Sequence, residues 1–368
     1  RGVDVFGDCI ALTMGLGDSN ESRALDWLTS PTLGSCPGAI ESIRRFDAAQ
    51  GLSGGYEYFR YWHGYTVVSR PLIAAVGVTG LRIVLFWAII GALAGFARRL
   101  WRFHGPVAPV ALLGPFLLTT DTIELARSLP HGVPVLVAVG GAWAVHRAAA
   151  GRDPDGPAGA ADAVQLVSVG FVAGAAYVYV DLLTTPPGAW ALAICAGMLA
   201  SSRYLDGVRL LARGALVGAA WIIGWGWMWA SKWALAAVFL GADRVRRSVG
   251  DAVNDRLVGE RDYIDLGLFN SIDENVAAWL GHPLTPVVIL SIVVASTYRW
   301  RRPSHRVEWR NRGLLAVPAI VPLVWFELLR NHSLLHFRFT YRSLGVSAGI
   351  IAVALLVQLP PTSSRKRR

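Results

Sequence analysis

Residues 72–97 read Leu-Ile-Ala-Ala-Val-Gly-Val-Thr-Gly-Leu-Arg-Ile-Val-Leu-Phe-Trp-Ala-Ile-Ile-Gly-Ala-Leu-Ala-Gly-Phe-Ala and run directly into Arg98-Arg99-Leu100-Trp101-Arg102. A near-continuous apolar run of this length matches the ~20 residues that cross a hydrocarbon layer. Its basic flank completes the pattern, because Lys and Arg collect in cytoplasmic loops. The rest of the chain follows suit: of 368 residues 54% are apolar and 16% charged, and the mean hydropathy is +0.43. A soluble domain carries about 25% charged residues, so a cytosolic globular enzyme is set aside.

Further apolar runs lie near 106–120, 133–147, 163–181, 188–201, 213–240, 284–299, 313–329 and 343–359, making about nine in all. The fold class this predicts is all-α, a polytopic transmembrane helical bundle. The net charge of +10 would suggest nucleic acid in a soluble protein, but here the basic residues lie between the apolar blocks, and no nucleic-acid partner is expected. Arg98 to Arg102, Arg147 to Arg152, Arg203 to Arg213, Arg299 to Arg312 and the tail Arg365-Lys366-Arg367-Arg368 fall in alternate connections, and that set reads as cytoplasmic. The other set, 1–70, 121–132, 182–187, 241–283 and 330–342, must then face outward. It carries most of the acidic residues and His63, His131, His282, His332 and His336. A pore or carrier places its polar residues at mid-membrane depth; here they gather at the outer ends of the spans.

The chain thus divides into an exported segment 1–70, a bundle 71–359 and a basic tail 360–368. The exported segment has Gly, Ser and Pro punctuation and a helical stretch near 39–50, of the kind that lies along a membrane surface. The sequence opens on Arg1 without an initiating Met, which leaves room for a signal or first span upstream. Cys9 and Cys36 share the exported segment, where an oxidising compartment allows a bridge, while Cys195 sits within a span.

Asp8 stands at the membrane face among apolar neighbours, where a carboxylate acts as a general base or as the cap of a helix beginning at Cys9. The stretch Tyr56-Glu57-Tyr58-Phe59-Arg60-Tyr61-Trp62-His63-Gly64-Tyr65, if helical, aligns Tyr56, Arg60 and His63. Rings mixed with a cation suit a sugar or phosphate, and equally an aromatic anchor. Asp121 with Glu124, and Asp181, close the second and fourth spans as site carboxylates or turn formers; paired carboxylates also suit a divalent cation. Trp221, Trp225, Trp229 and Trp233 form a stripe beside Lys232. Lysine is rare in this chain, and an intramembrane charge is a site candidate by default. The densest group is His332, His336, Arg338, Tyr341 and Arg342, between the last two runs. His332 and His336 have helical metal-pair spacing without an evident third ligand, and the whole set forms a cationic patch suited to a lipid phosphate.

Several of these stretches together, Arg60-Tyr61-Trp62-His63-Gly64-Tyr65, Arg70-Pro71-Leu72, Asp181 to Pro186, Ala230-Ser231-Lys232-Trp233, and Asn331-His332-Ser333 through Thr340-Tyr341-Arg342, resemble those of a group of bacterial polytopic membrane proteins. More distantly, the layout is similar to that of C-type glycosyltransferases, which take sugar from a polyprenyl-phosphate donor at the outer face. The resemblance implies that Asp8, in the first exported segment, serves as base, with Asp121 and Asp181 in reserve. It also implies that Tyr56, Arg60, His63, Lys232, His332, His336, Arg338, Tyr341 and Arg342 hold the lipid phosphate, donor or acceptor.

The expected activity is glycosyl transfer from a lipid-linked sugar donor to an envelope glycan or lipid acceptor, at the outer face of the cytoplasmic membrane. No cofactor is required, with a divalent cation as an option. The rival readings are a transporter or flippase of a lipid-linked or anionic solute, another lipid-dependent transferase using a His–Asp pair or a metal-assisted nucleophile, and an assembly factor.

Overall fold

The computed structural model describes residues 5–14, 28–33, 36–37, 41, 56–150, 163–257, 259, 267–301 and 309–359. The helices are α1 (Val5–Thr13), α2 (Tyr65–His104), α3 (Val107–Thr119), α4 (Thr122–Arg127), α5 (Leu129–Ala150), α6 (Ala163–Val180), α7 (Pro186–Ser201) and α8 (Gly207–Leu240). They continue as α9 (Ala242–Leu257), α10 (Asn270–Leu280), α11 (Thr285–Trp300), α12 (Trp309–Ala316), α13 (Val321–Leu328), α14 (Arg330–Leu335), α15 (Phe337–Thr340) and α16 (Arg342–Leu356). Among the described residues the one strand pairing is antiparallel, β1 (Pro31–Thr32) with β2 (Tyr56–Glu57).

The apolar runs all lie on helices, but among the described residues six helices are long and apolar enough to cross a membrane, or seven counting α10 and α11 as one span broken by an 87° bend. The other two runs form α3 and α7, of 13 and 16 residues, or roughly 20 and 24 Å at 1.5 Å per residue. Proline and glycine shape several of the rest. Gly77, at φ 69, breaks α2, and a 3₁₀ turn with Pro318 separates α12 from α13.

The core forms around α7, where every residue but Trp190 is buried. A helix apolar on all sides belongs inside a bundle, and its alanines and Gly197 allow neighbours to approach closely. Leu112, Val139, Leu192, Leu199, Ile350 and Val353 from α3, α5, α7 and α16 pack in one cluster around it. The tightest crossing joins α6 and α8. A Cβ at Gly174 would lie 2.0 Å from the Trp221 carbonyl oxygen, and one at Gly224 2.0 Å from that of Phe171.

The connections gather at two ends, grouped as the arginine alternation predicts. At one end the His332 ring donates to the Leu183 carbonyl at 2.8 Å, Trp279 Nε1 donates to Thr119 Oγ1 at 2.9 Å, and Asp8 accepts from Leu129 N at 2.8 Å. At the other, Arg99 donates to His146 at 2.9 Å, and Asn311 Oδ1 accepts from Gly207 N at 2.9 Å.

The stretch from Tyr56 to Gly64 is not a helix. It leaves β2 through a turn, and His63 takes a left-handed backbone at φ 54, so the alignment of Tyr56, Arg60 and His63 on one helical face does not form. Closely spaced aromatics favour extended backbone, and the left-handed His63 ends any helix before Tyr65. The expected helix near 39–50 and the tail 360–368 lie outside the described residues, except Glu41. Cys9 and Cys36 are bridged, and Cys195 is free and buried in α7.

Candidate functional site

Helix α1 carries Asp8 within its first turn rather than at its cap. The carboxylate reaches across to α5: Oδ1 accepts from Ser128 Oγ at 3.0 Å and from Leu129 N at 2.8 Å, and Oδ2 pairs with Arg82. Asp8 is therefore an N-cap for α5 supplied by another helix, at the end where a helix dipole favours negative charge. It fixes the helix that carries His131 two residues further on.

His131 lines a narrow slot between α3, α5, α7 and α16 with room for about 40 Å³. Its walls are apolar, with Phe116, Val135, Leu192 and Val346 among them, while Thr184, Thr185, Arg342 and Ser343 join His131 as its polar lining. Arg342 Nε and Nη1 and Ser343 Oγ are shielded from solvent, with no hydrogen-bond partner among the described residues. Arg342 is half-exposed, with its guanidinium 5.9 Å from the Tyr341 ring, but buried polar nitrogens beside apolar walls are costly to leave unpaired.

Next along the chain from Arg342, Tyr341 turns to Asp121. The Tyr341 hydroxyl donates to Oδ2 at 3.3 Å, and His282 Nε2 donates to Oδ1 at 3.2 Å. His282 stands at the elbow between α10 and α11, where Leu284 N donates to its Nδ1 at 3.3 Å. Asp121 itself has a left-handed backbone, φ 51 and ψ 45, at the start of α4, a conformation that Asp tolerates better than most residues. Asp181 is fully buried in the turn after α6 and accepts from its own Thr184, from N at 3.0 Å and from the hydroxyl.

A third group forms around the Tyr58 to His63 turn. His63 Nε2 donates to the Tyr58 carbonyl at 2.8 Å, and Nδ1 accepts from Tyr65 at 3.2 Å. Tyr61 lies parallel to Trp229 at 6.3 Å and accepts from Arg256 Nη2 at 2.6 Å. A chain of rings leads back to the slot: His332 to His336 at 4.6 Å, His336 to Phe339 at 5.6 Å, Phe339 to His131 at 5.4 Å.

The structure thus brings His332, His336, Tyr341, Arg342, Asp121 and Asp181 to one end of the bundle, with His63 close by. Other candidates have different surroundings. Arg338 is exposed, over the Phe337 ring; Arg60 lies over Tyr58; and Tyr56 pairs through its backbone with Thr32. Lys232 is buried, donates to the Leu28 carbonyl at 2.8 Å and lies 5.3 Å from the Trp62 ring, so it holds the N-terminal segment against α8. Among the described residues no three His, Cys, Asp or Glu side chains converge as a metal set, and the pairs His332–His336 and Asp121–His282 do not by themselves make a divalent-cation cage.

Two participants, Arg256 and His282, were given no role by the sequence motifs. Arg256 follows Val245, Val249 and Ala252 at helical spacing, a cation on the apolar face of α9. His282 was signalled by Gly281-His282-Pro283, a break inside an apolar region.

Burial lowers the His63 ring to about 3 against its carbonyl hydrogen bond, helped by Lys232 and Arg70, and holds His332 well below the usual range, helped by His336 and Arg256. Both groups bind protons more weakly folded than unfolded. The stability they contribute is therefore fully present above about pH 6.5 and lost as pH falls toward 3. The melting temperature in detergent is expected to drop from pH 6.5 to 4.5, and His63→Asn, which tolerates the left-handed backbone, to flatten part of that drop. An unchanged slope in the variant would assign the acid sensitivity elsewhere.

Compared with known proteins, the chain matches no family model, no curated protein and no solved structure. Its helices define it as a membrane-embedded helical protein.

Proposed function

We propose that the chain is a membrane glycosyltransferase, moving a sugar from a polyprenyl-phosphate donor to a cell-envelope acceptor at the outer face of the cytoplasmic membrane. The single observation that carries this reading is the apolar slot lined by His131, Ser343 and Arg342, where two buried nitrogens of Arg342 have no hydrogen-bond partner among the described residues. A guanidinium forks onto a phosphate, an isoprenoid chain suits the walls, and carboxylates able to take a proton lie at the same end. The short helices α3 and α7 complete nine crossings in this reading, with the arginine-rich end inward. Arg342 neutralises the leaving lipid phosphate as charge develops on it. Asp8 acts through α5 as a positioning group for His131.

The test is donor turnover by the full chain in lipid nanodiscs, offered polyprenyl-phosphate-linked hexoses and pentoses with an envelope extract as acceptor. Release of free polyprenyl phosphate above a protein-free control is the expected result. If no donor is turned over, the reading is abandoned, whether or not polyprenyl phosphate itself binds.

A further inference from the structure

Resting on that reading, we propose that Asp121, aimed by His282 and Tyr341, is the general base that takes the proton of the acceptor hydroxyl. The three candidate carboxylates differ in what surrounds them. The Asp8 side chain is 4% exposed, tied to Arg82 and capping α5. Asp181 is enclosed by its own turn. Asp121 is 23% exposed at its side chain, and its hydrogen bonds to His282 and Tyr341 are long, 3.2 and 3.3 Å, so lone pairs remain open to an incoming hydroxyl.

Two elements that are each broken at this level hold it there. The Asp121 backbone is left-handed between α3 and α4, and His282 occupies the 87° elbow between α10 and α11. Trp279, on the last turn of α10, donates to Thr119 and locks the elbow to the Asp121 turn. Leu284 N donates to His282 Nδ1, which fixes the tautomer with its proton on Nε2, facing Asp121. Strained turns and broken helices at a membrane end are recurring homes of functional groups. The neighbour of Tyr341 is Arg342, so a residue that aims the base and the leaving-group cation are consecutive in the chain.

The step balances as a single displacement. The acceptor oxygen bonds to the anomeric carbon as its proton passes to Asp121, and the bond from that carbon to the phosphate oxygen breaks. The electron pair leaves with the lipid phosphate, which Arg342 holds. His282 and Tyr341 are positioning residues.

Nanodisc turnover of polyprenyl-phosphate hexoses and pentoses tests the assignment. Asp121→Asn, which keeps the shape and tolerates the backbone, is expected to lower kcat about a hundredfold or more, the usual scale for a lost base, with unchanged binding of free polyprenyl phosphate. His282→Ala should lower kcat about tenfold at constant KM, and His282→Gln, whose amide N–H reaches the same oxygen, should recover most of it. An active wild type whose Asp121→Asn variant keeps its rate overturns the assignment alone, as does full loss in a well-folded Asp8→Asn with Asp121→Asn active. A wild type that binds the lipid phosphate but releases none from any donor sinks the glycosyl-transfer reading, and this assignment with it.

Discussion

Arg342→Ala is expected to weaken the binding of polyprenyl phosphate in nanodiscs by a hundredfold or more, about 2.7 kcal/mol. The size follows from the burial of the guanidinium nitrogens. Arg342 Nε and Nη1 are screened from solvent and have no hydrogen-bond partner among the described residues, so a phosphate there meets donors that have already lost their water. Charge-assisted forked bonds in such a place are strong. Arg342→Lys keeps the charge but loses the fork, and an intermediate loss of about tenfold is expected. Stability separates this role from a structural one. Removing an orphaned guanidinium from an apolar slot should leave the melting temperature of the lipid-free protein unchanged or raise it, as at other sites where function opposes stability. A variant that binds the lipid phosphate as wild type, or that melts far lower, would show Arg342 to be a packing residue instead.

Gly224→Leu is expected to stop the bundle from assembling. A Cβ at Gly224 meets the Phe171 carbonyl at 2.0 Å, and one at Gly174 meets the Trp221 carbonyl at the same distance. The obstacle on each side is backbone, which has no rotamer to yield, so α6 and α8 must separate. Overpacking in cores costs about 1–3 kcal/mol, and the cost here exceeds that range because the whole crossing moves. The readout is loss of the monodisperse species in detergent, or failure to accumulate in membranes. Gly226→Ala on the same helix is the control, since its Cβ meets nothing within 4 Å; it should be neutral or slightly stabilising. Equal behaviour of the two variants would rule out the close crossing.

The apolar runs located helices throughout, because hydropathy blocks report a solvent preference that tertiary packing need not alter. Arginine alternation also foretold which connections meet, and so His332, Tyr341, Arg342, Asp121 and Asp181 could be grouped without coordinates. Span length was less legible. Helices α3 and α7 are short because prolines and polar turns cut them, and their burial inside the bundle removes any need to match a lipid layer. The pairing of Asp8 with Ser128 and Leu129 was invisible in the sequence, since it joins positions about 120 residues apart and local spacing carries no information about it. The same holds for Asp121 with His282, separated by 161 residues. The aromatic stretch before Tyr65 misled for a different reason: helical alignment was assumed for residues whose left-handed His63 and flanking strand forbid it.

The Lys232 contact dictates an order of events during synthesis. Its acceptor, the Leu28 carbonyl, precedes it by 204 residues, so the N-terminal segment leaves the ribosome long before α8 exists. Until α8 enters the membrane, that segment lacks the ammonium that holds it, and once α8 enters, its buried charge lacks an acceptor until the segment folds back. Each is the other's condition for settling, so this end of the bundle closes only after α8 has been made.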